Sequence, residues 1–376
     1  MSNIKEQIKK AIATYQAFNI YKHYRDQFKR YLLQLGIDNV SAKGEDAYIQ
    51  KWSVFNNRVE PYSYRLFSRF MGADPCIVPE DIGHVFIENV LNPRRFRAYY
   101  SDKNLFDATF KAGIMPATIL RRIGGSAILD KDFQIVRGEV KQRLPNDADR
   151  LILKPSLDSC SGVGVTLFVR NGDDFVDSKT GETLDEAYLM GYGNDFILQT
   201  AVKQSAYISQ FCNTSVNTLR LAVYRSVTDE QIHVTAAIMR IGKSGSYIDN
   251  AHGGGRFVGI DLHTGELGKC VLDQYGNKSP EWNNINFETQ RFYIPNWEGV
   301  VEFAQYIGSS NHHCRLIALD IALDENNVPR LIEYNVDGFS FWLFMYSGQR
   351  LFGVYTDEII EHCLKHKNDK IHIRLV

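Results

Sequence analysis

Three side chains that end in oxygen interrupt two apolar stretches near the carboxyl end of the chain. Asp320 lies within the stretch 316–323, and Glu333 and Asn335 follow after a turn. Because side chains alternate across a strand, residues 333 and 335 share a face, and a hairpin can bring Asp320 opposite them. Mg²⁺ prefers such oxygen ligands together with phosphates and water. Exposed polar faces of an edge hairpin are the alternative, but acidic groups among apolar residues are costly to bury without a cation, so we predict a magnesium site.

A second candidate site lies in the middle of the chain, where a lysine precedes a loop of small residues. Lys154 and Pro155 end one apolar segment, and a Ser- and Gly-rich loop leads through Gly164 into the next. Backbone N–H groups of such a loop can converge on phosphate oxygens, and the lysine adds positive charge. A plain turn with a solvated lysine is the alternative. A P-loop is excluded, because its nearest match, at 242–244, has Ala237 in place of the first glycine.

Arg220 is a third candidate. It lies on a predicted strand, 217–224, on the face opposite to Leu219 and Leu221. A guanidinium binds phosphate or carboxylate through two parallel hydrogen bonds and stabilises charge on a transferring phosphoryl group. The alternative is a surface arginine on a half-exposed strand.

A run of three glycines at 253–255 lies among the polar residues Asn250, His252 and Arg256. Glycine allows the backbone to approach a ligand closely, so the segment is suited to a carboxylate or a sugar, or it is a mobile turn. The sequence contains no G-x-S-x-G elbow, and this argues against a serine hydrolase.

The elements that position these residues differ along the chain. Apolar residues recur at helical spacing over 4–35, which predicts one or two helices. Their many lysines and arginines are compatible with peripheral contact with an anionic membrane. A solvated helix face is the alternative. The stretch up to residue 99 predicts only short elements.

A helix at 102–111 and alternating strands beyond it predict an α+β body. An aromatic run at 336–346 either packs in a core or forms a platform for a sugar.

Composition narrows the class of protein. The 376 residues are 44% hydrophobic with a net charge of −1, so the chain can bury a large core and has no basic excess that would favour nucleic acid. The six cysteines are scattered, which favours a reducing compartment. The sequence begins with charged residues and has no apolar stretch long enough to span a membrane, so we expect a cytoplasmic protein.

In order and spacing, these motifs resemble the ATP-grasp enzymes. The resemblance rests on Asp102-Lys103 at the start of a helix, Lys154-Pro155 before a glycine loop, and Asp320 followed by the Glu-x-Asn motif, and it covers residues 99–340. Segments 215–220 and 250–255 resemble the sugar-transfer-associated branch, which is linked to surface-polysaccharide synthesis. The resemblance implies an α+β ATP-grasp fold in which two lobes grip ATP. It divides the chain into a mainly helical region at 1–98, a small lobe with a glycine-rich lid at 99–204, and a large lobe with the metal and acceptor sites at 205–376.

The resemblance also implies ATP and Mg²⁺ as cofactors and gives roles to individual residues. The residues implied to bind ATP are Lys103, Lys154, Ser161, Gly162, Val163, Gly164, Gln199, Val202 and Lys203. The implied metal ligands are Asp320, Glu333 and Asn335, and the implied catalytic residues are Arg220 and Lys154. The implied substrate contacts are Asn217, Arg220, Asn250, His252, Gly254 and Arg256. Gln199 departs from the family pattern, because many relatives have an acidic residue in that hinge strand.

The resemblance implies a carboxylate–amine ligase that works through an acyl phosphate. Its implied substrates are a small-molecule carboxylate on a sugar and an amine or amino acid. An ATP-grasp kinase that phosphorylates a hydroxyl is an alternative, with Asp337 or His252 as the base. A nucleotide-binding scaffold without catalytic activity is a second alternative, which the retained lysines and metal ligands argue against.

Overall fold

The amino-terminal part of the chain is helical. The computed structural model describes residues 2–157 and 162–366, apart from the side chains of 2–6, 9, 10 and 13. The helices before the first strand are α1 (Ser2–Gln34), α2 (Glu45–Trp52), α3 (Tyr62–Met71), α4 (Glu80–Ile82), α5 (Glu88–Leu91), α6 (Arg94–Ser101) and α7 (Phe106–Thr109), with a π-helical turn at Gly83–Ile87 and a 3₁₀ turn at Lys103–Leu105. The predicted helix over 4–35 is confirmed as the single helix α1. The helix predicted at 102–111 is shorter and divided, because Asp102 accepts a hydrogen bond from the Asn104 backbone N–H and starts a 3₁₀ turn.

A six-stranded antiparallel sheet, called the small sheet, follows. Its strands are β1 (Thr118–Arg122), β2 (Leu129–Asp130), β3 (Arg150–Pro155), β4 (Thr166–Asn171), β5 (Asp174–Asp177) and β6 (Phe196–Thr200), in the spatial order β2-β1-β6-β3-β4-β5. Strands β3 and β4 form the predicted hairpin on either side of the glycine-rich loop. Helix α8 (Glu186–Tyr192) packs on this sheet through Leu189 and Tyr192.

A seven-stranded antiparallel sheet, called the large sheet, forms the rest of the body. Its strands are β7 (Thr218–Arg225), β8 (Ile232–Ile241), β9 (Arg256–Gly259), β10 (Val271–Leu272), β11 (Lys278–Ser279), β14 (Leu316–Leu323) and β15 (Pro329–Asn335), in the order β11-β10-β9-β8-β7-β14-β15. A separate ribbon pairs β12 (Glu281–Trp282) with β13 (Ile285–Asn286). The remaining helices are α9 (Ala206–Ser209), α10 (Trp297–Ser310), α11 (Phe341–Tyr346) and α12 (Thr356–His366), with 3₁₀ turns at Val140–Arg143, Ala251–Gly253 and Gly353–Tyr355.

The large sheet separates two apolar cores, as alternation along its strands requires. In β7, Leu219 and Leu221 face the core that contains α10, whereas Ala222 and Tyr224 face the core formed with the amino-terminal helices, α11 and α12. On this second face, charged side chains replace apolar ones at one end of the strands. In β7, Arg220 lies at that end, two residues before Ala222. That charged end lies beside the small sheet and forms the candidate site.

The described helices include none that is both long enough and apolar enough to cross a membrane.

Candidate functional site

A cavity of about 410 Å³ lies between the small and large sheets. Its volume is in the range of sites that hold small molecules and cofactors. Lys103 and Lys154 line it from the small-sheet side, and Asp320, Glu333 and Asn335 line it from the large sheet. The structure therefore brings the predicted phosphate-binding lysines and the predicted metal ligands to one place.

The register of β14 and β15 explains how the three oxygen-bearing side chains meet. Asp320 pairs with Glu333, and Ala318 pairs with Asn335 across the hairpin. Asp320 is buried, whereas the side chain of Glu333 retains 27% exposure. The Asn335 amide donates a hydrogen bond to the carbonyl of Ala318 at 3.4 Å.

Asp320 is held by two arginines from the neighbouring strands. Arg220 binds it through two hydrogen bonds of 2.7 Å, one to each carboxylate oxygen, and Arg240 lies 3.4 Å from Oδ2. Burial alone would raise the pKa of Asp320, but the two guanidinium charges outweigh it and lower the pKa to about 2. Asp320 is therefore a carboxylate at every physiological pH.

Arg240 also connects this carboxylate to a second one. It donates a hydrogen bond of 2.6 Å to Asp249, which in turn accepts from the backbone N–H and the hydroxyl of Thr218. The two carboxylates raise the pKa of the buried Arg240 despite its desolvation. Sequence analysis missed Arg240 and Asp249. The sequence does contain an indication of Arg240: it is a charged residue between Met239 and Ile241 in an apolar segment.

The chemistry of the donor set fits a hard divalent cation. Asp320 is ionised, and each bond from Arg220 takes one lone pair of an oxygen that has two, so coordination capacity remains. Glu333 and Asn335 add further oxygens. Within residues 2–157 and 162–366, no group of three His, Cys, Asp or Glu residues has the geometry to hold a metal alone. A cation here would therefore need Asn335, phosphate oxygens or water to complete its coordination.

The two lysines lie opposite this acidic group. The Lys103 ammonium is 3.2 Å from the Glu333 carboxylate, and the Lys154 ammonium donates a hydrogen bond of 3.1 Å to the carbonyl of Ile332. Burial and the neighbouring Lys103 charge lower the pKa of Lys154 to about 8. A buried ammonium that lines the cavity is well placed to bind an anionic ligand.

Residues 162–165, the described end of the glycine-rich loop, lie near the large sheet. Gly162 lines the cavity and faces the side chain of Ile248, and the Tyr247 hydroxyl donates to the carbonyl of Val165 at 3.1 Å. Gly162 and Gly164 have positive φ angles of 74° and 78°, which favour glycine. Val163 is 69% exposed, and Ser161 lies outside the described residues.

The predicted hinge strand forms an apolar slot at one end of the cavity. Val202, Pro116 and Ile152 line it. Gln199 is buried there, and its amide donates to the carbonyl of Pro116 at 3.2 Å. Lys203 lies outside the slot, with its side chain 81% exposed and paired to Glu325 at 3.0 Å.

The predicted substrate residues are divided between the cavity and its surroundings. Asn250 and His252 line the cavity. Asn217 lies outside it and binds the backbone carbonyls of Ile208 and Cys212. Gly254 and Arg256 also lie outside, and the Arg256 guanidinium stacks 4.5 Å from the ring of Trp282.

Buried charges of the amino-terminal region support the loop that follows Asn335. His84 lies between Glu80 and Glu88, at 3.5 Å and 2.8 Å. Burial would lower the pKa of His84, but the two carboxylates outweigh it and raise the pKa to about 10. Glu88 also accepts a hydrogen bond from the backbone N–H of Phe339 at 3.0 Å. The helices before the first strand thus fix one wall of the cavity.

Comparison with known proteins identifies the family. The sequence model described as "Sugar-transfer associated ATP-grasp" matches residues 85–358. No curated protein matches the chain. Solved structures with a similar arrangement include the L-amino acid ligase from Bacillus licheniformis (10% identity, TM-score 0.35, 78% of this chain and 53% of that one). Another is D-cycloserine synthetase DcsG (14% identity, TM-score 0.40, 72% of this chain and 73% of that one). A third is the D-alanine-D-alanine ligase from Coxiella burnetii (12% identity, TM-score 0.38, 72% of this chain and 58% of that one).

The chain spans about half the length of the Bacillus licheniformis ligase. The family match covers most of the chain and includes both lysines and the Asp/Glu/Asn group. The predicted resemblance and the predicted α+β fold with a helical amino-terminal region are confirmed. The protein belongs to the sugar-transfer associated ATP-grasp family.

Proposed function

We propose that the protein is a Mg²⁺- and ATP-dependent ligase that activates a carboxylate as an acyl phosphate and joins it to an amine. The acid is carried by a sugar, and the reaction belongs to surface-polysaccharide synthesis. One observation carries the proposal: Lys103 and Lys154 face Asp320, Glu333 and Asn335 across a single cavity. A phosphoryl-transfer site needs positively charged side chains that bind the phosphate oxygens. It also needs oxygen ligands that hold a divalent metal ion.

The chain's own residues have separate roles in this proposal. Lys103 and Lys154 offset the negative charge of the nucleotide phosphates, and Gln199 and Val202 belong to the slot that holds the base. Arg220 fixes the orientation of the Asp320 carboxylate through its two hydrogen bonds. Asp320, Glu333 and Asn335 would hold Mg²⁺, which when bound withdraws charge from the phosphate oxygens.

Two displacements follow in sequence. An oxygen of the substrate carboxylate bonds to the γ-phosphorus while the bond to ADP breaks. The amine nitrogen then bonds to the acyl carbon and loses a proton, and inorganic phosphate leaves. The loop at Gly162, which already contacts Ile248 of the opposite lobe, protects the acyl phosphate from water.

A kinase acting on a hydroxyl is the second candidate, and Asp337 is the observation that favours it. Its carboxylate lines the cavity and is 66% exposed, so it could accept the proton of an attacking hydroxyl.

ADP and phosphate release distinguishes the candidates. The protein is incubated with Mg²⁺-ATP and a panel of uronic acids, each with and without amino acids. We expect ADP release that requires both acid and amine and that is abolished in Glu333→Gln but retained in Glu302→Gln, a matched change at an exposed position on α10. Release without an amine, together with a phosphorylated hydroxyl product, would identify the kinase. Nucleotide binding without release on any panel member would favour the scaffold.

A further inference from the structure

The aromatic run that follows Asn335 does not pack uniformly. Phe341, Phe344 and Tyr346 are buried in the core between the amino-terminal helices and the large sheet. Trp342 is partly exposed and lines the cavity, with its ring beside that of His252. Most of the run is therefore core, but one ring is presented to the interior of the site.

Neighbouring rings fix the orientation of the Trp342 indole. Phe257 and Tyr346 meet it edge to face, at 5.8 Å and 77° and at 5.9 Å and 78° between ring centroids and planes. His252 lies 5.8 Å away at 54°. Edge-to-face contacts of this kind are favourable and directional, so the ring is held in place before any ligand arrives. A rigid, flat apolar surface thus faces the cavity.

The Asp337 carboxylate lines the same cavity, and its position is also fixed. Oδ1 of Asp337 accepts a hydrogen bond of 2.7 Å from Arg97. Arg97 is itself buried and is held by the carbonyls of Asn92 and Glu88 at 2.8 Å and 3.0 Å. A carboxylate has about four lone-pair positions, so Asp337 retains the capacity to accept further hydrogen bonds. Asn250 and His252 supply more polar atoms nearby.

We propose that Trp342 and Asp337 form the subsite for the acid substrate and that this substrate is a six-membered sugar acid. The inference rests on the proposed ligase function and extends it to the substrate class. A sugar ring has an apolar C–H face that fits a flat indole, and its hydroxyls donate to a carboxylate such as Asp337. With its hydroxyls on Asp337, the sugar acid directs its carboxylate towards the positive charges of Lys103 and Lys154 in the same cavity.

Equilibrium binding tests the subsite without requiring turnover. Isothermal titration calorimetry is performed in the presence of ADP and Mg²⁺ with glucuronic acid, with UDP-glucuronic acid, and with lactate. Lactate has the same charge as glucuronic acid but no ring. We expect the unaltered protein to bind at least one of the two ring acids more tightly than lactate. The two ring acids show whether the sugar is free or attached to a nucleotide.

Substitutions at two residues, Trp342 and Asp337, locate the binding energy. Trp342→Leu keeps an apolar side chain but removes the flat ring, and we expect it to weaken ring-acid binding about tenfold. Trp342→Phe should weaken it less, and Asp337→Asn should also weaken it. Trp282→Phe is the matched control, because Trp282 lies under Arg256 outside the cavity. ADP binding should be unchanged in all four variants, which shows that each is folded.

Several results would overturn the subsite: unchanged ring-acid affinity in Trp342→Leu and Trp342→Phe, tighter binding of lactate than of either ring acid, or no binding of any ring acid. Failure of the ligase proposal is distinguishable from these results. A ring acid that binds through Trp342 and yields no ADP with any amine would support the subsite and contradict the ligase.

Discussion

Lys154→Met should stabilise the free protein. Lys154 is buried on β3, and among the described residues its ammonium donates one hydrogen bond, of 3.1 Å, to the carbonyl of Ile332. Burial and the charge of Lys103 lower the pKa of Lys154 from its ordinary 10.5 to about 8 in the folded protein. Methionine has a similar shape and carries no charge, so it removes this unfavourable burial.

The magnitude follows from the pKa difference. One pKa unit corresponds to about 1.4 kcal/mol, so a change from 10.5 to about 8 means that charged Lys154 costs the folded state about 3 kcal/mol. The pKa of this basic group is lower in the folded state than in the unfolded state, so its positive charge destabilises the folded protein. Below pH 8 Lys154 is protonated in both states and the cost is complete, and it decreases as pH rises from 8 to 10.5, where the unfolded state binds more protons. After about 1 kcal/mol for the lost hydrogen bond, a net gain of about 2 kcal/mol is expected at pH 7.

Urea unfolding at pH 7 and pH 9.5 measures this gain, without nucleotide or metal, because ligands that bind the folded state shift the apparent stability. The advantage of Lys154→Met should decrease by about 2 kcal/mol between the two pH values. Lys131→Met, at a side chain that is 68% exposed, should leave stability unchanged at both pH values. Two results would contradict a destabilising buried charge at Lys154. One is a Lys154→Met protein that is less stable than the parent at pH 7, and the other is a gain in stability that does not depend on pH.

Three other predictions concern the cavity and its walls. Affinity for a non-hydrolysable ATP analogue should fall about tenfold for each pH unit above 8, and Lys154→Arg should abolish that dependence, as calorimetry across pH 7–10 would show. Because the folded-state pKa of His84 is raised to about 10, its contribution to stability is complete below pH 6.5 and is lost as pH rises through 10. His84→Gln leaves two buried carboxylates without their cation and should cost about 3 kcal/mol or more at pH 7 in urea unfolding, whereas a loss below about 1 kcal/mol would contradict the ion-pair account. Gly164→Ala should weaken binding of the analogue, because φ is 78° and the new Cβ would lie 2.8 Å from the Pro155 ring, and unchanged affinity would show that the loop adapts.

Local patterns in the sequence predicted much of the site. Alternation along two strands and a short turn were enough to place Glu333 and Asn335 on one face opposite Asp320, because hairpin geometry is determined by nearby residues. The strands on either side of the Lys154 loop were predicted for the same reason.

Contacts between distant segments were not predicted. Arg240 meets Asp320 only because β8, β7 and β14 lie side by side, and the register of strands so far apart in sequence is not visible in local spacing. The exposure of Trp342 depends on the rotation of α11 against the large sheet, which periodicity over six residues does not determine. The sequence between residues 36 and 98 predicted only short elements, because Pro and Gly recur among its apolar residues, and local spacing does not indicate how these elements pack against the sheet.

The central claim is that a carboxylate of the substrate attacks ATP. The direct measurement uses an acid from the active panel with ¹⁸O in both carboxylate oxygens, together with its amine and Mg²⁺-ATP, and analyses the released phosphate by mass spectrometry. The account predicts one ¹⁸O atom in each phosphate, because the attacking oxygen stays on phosphorus when the amine displaces it. Unlabelled phosphate, or a phosphorylated sugar in place of an amide, would contradict the account.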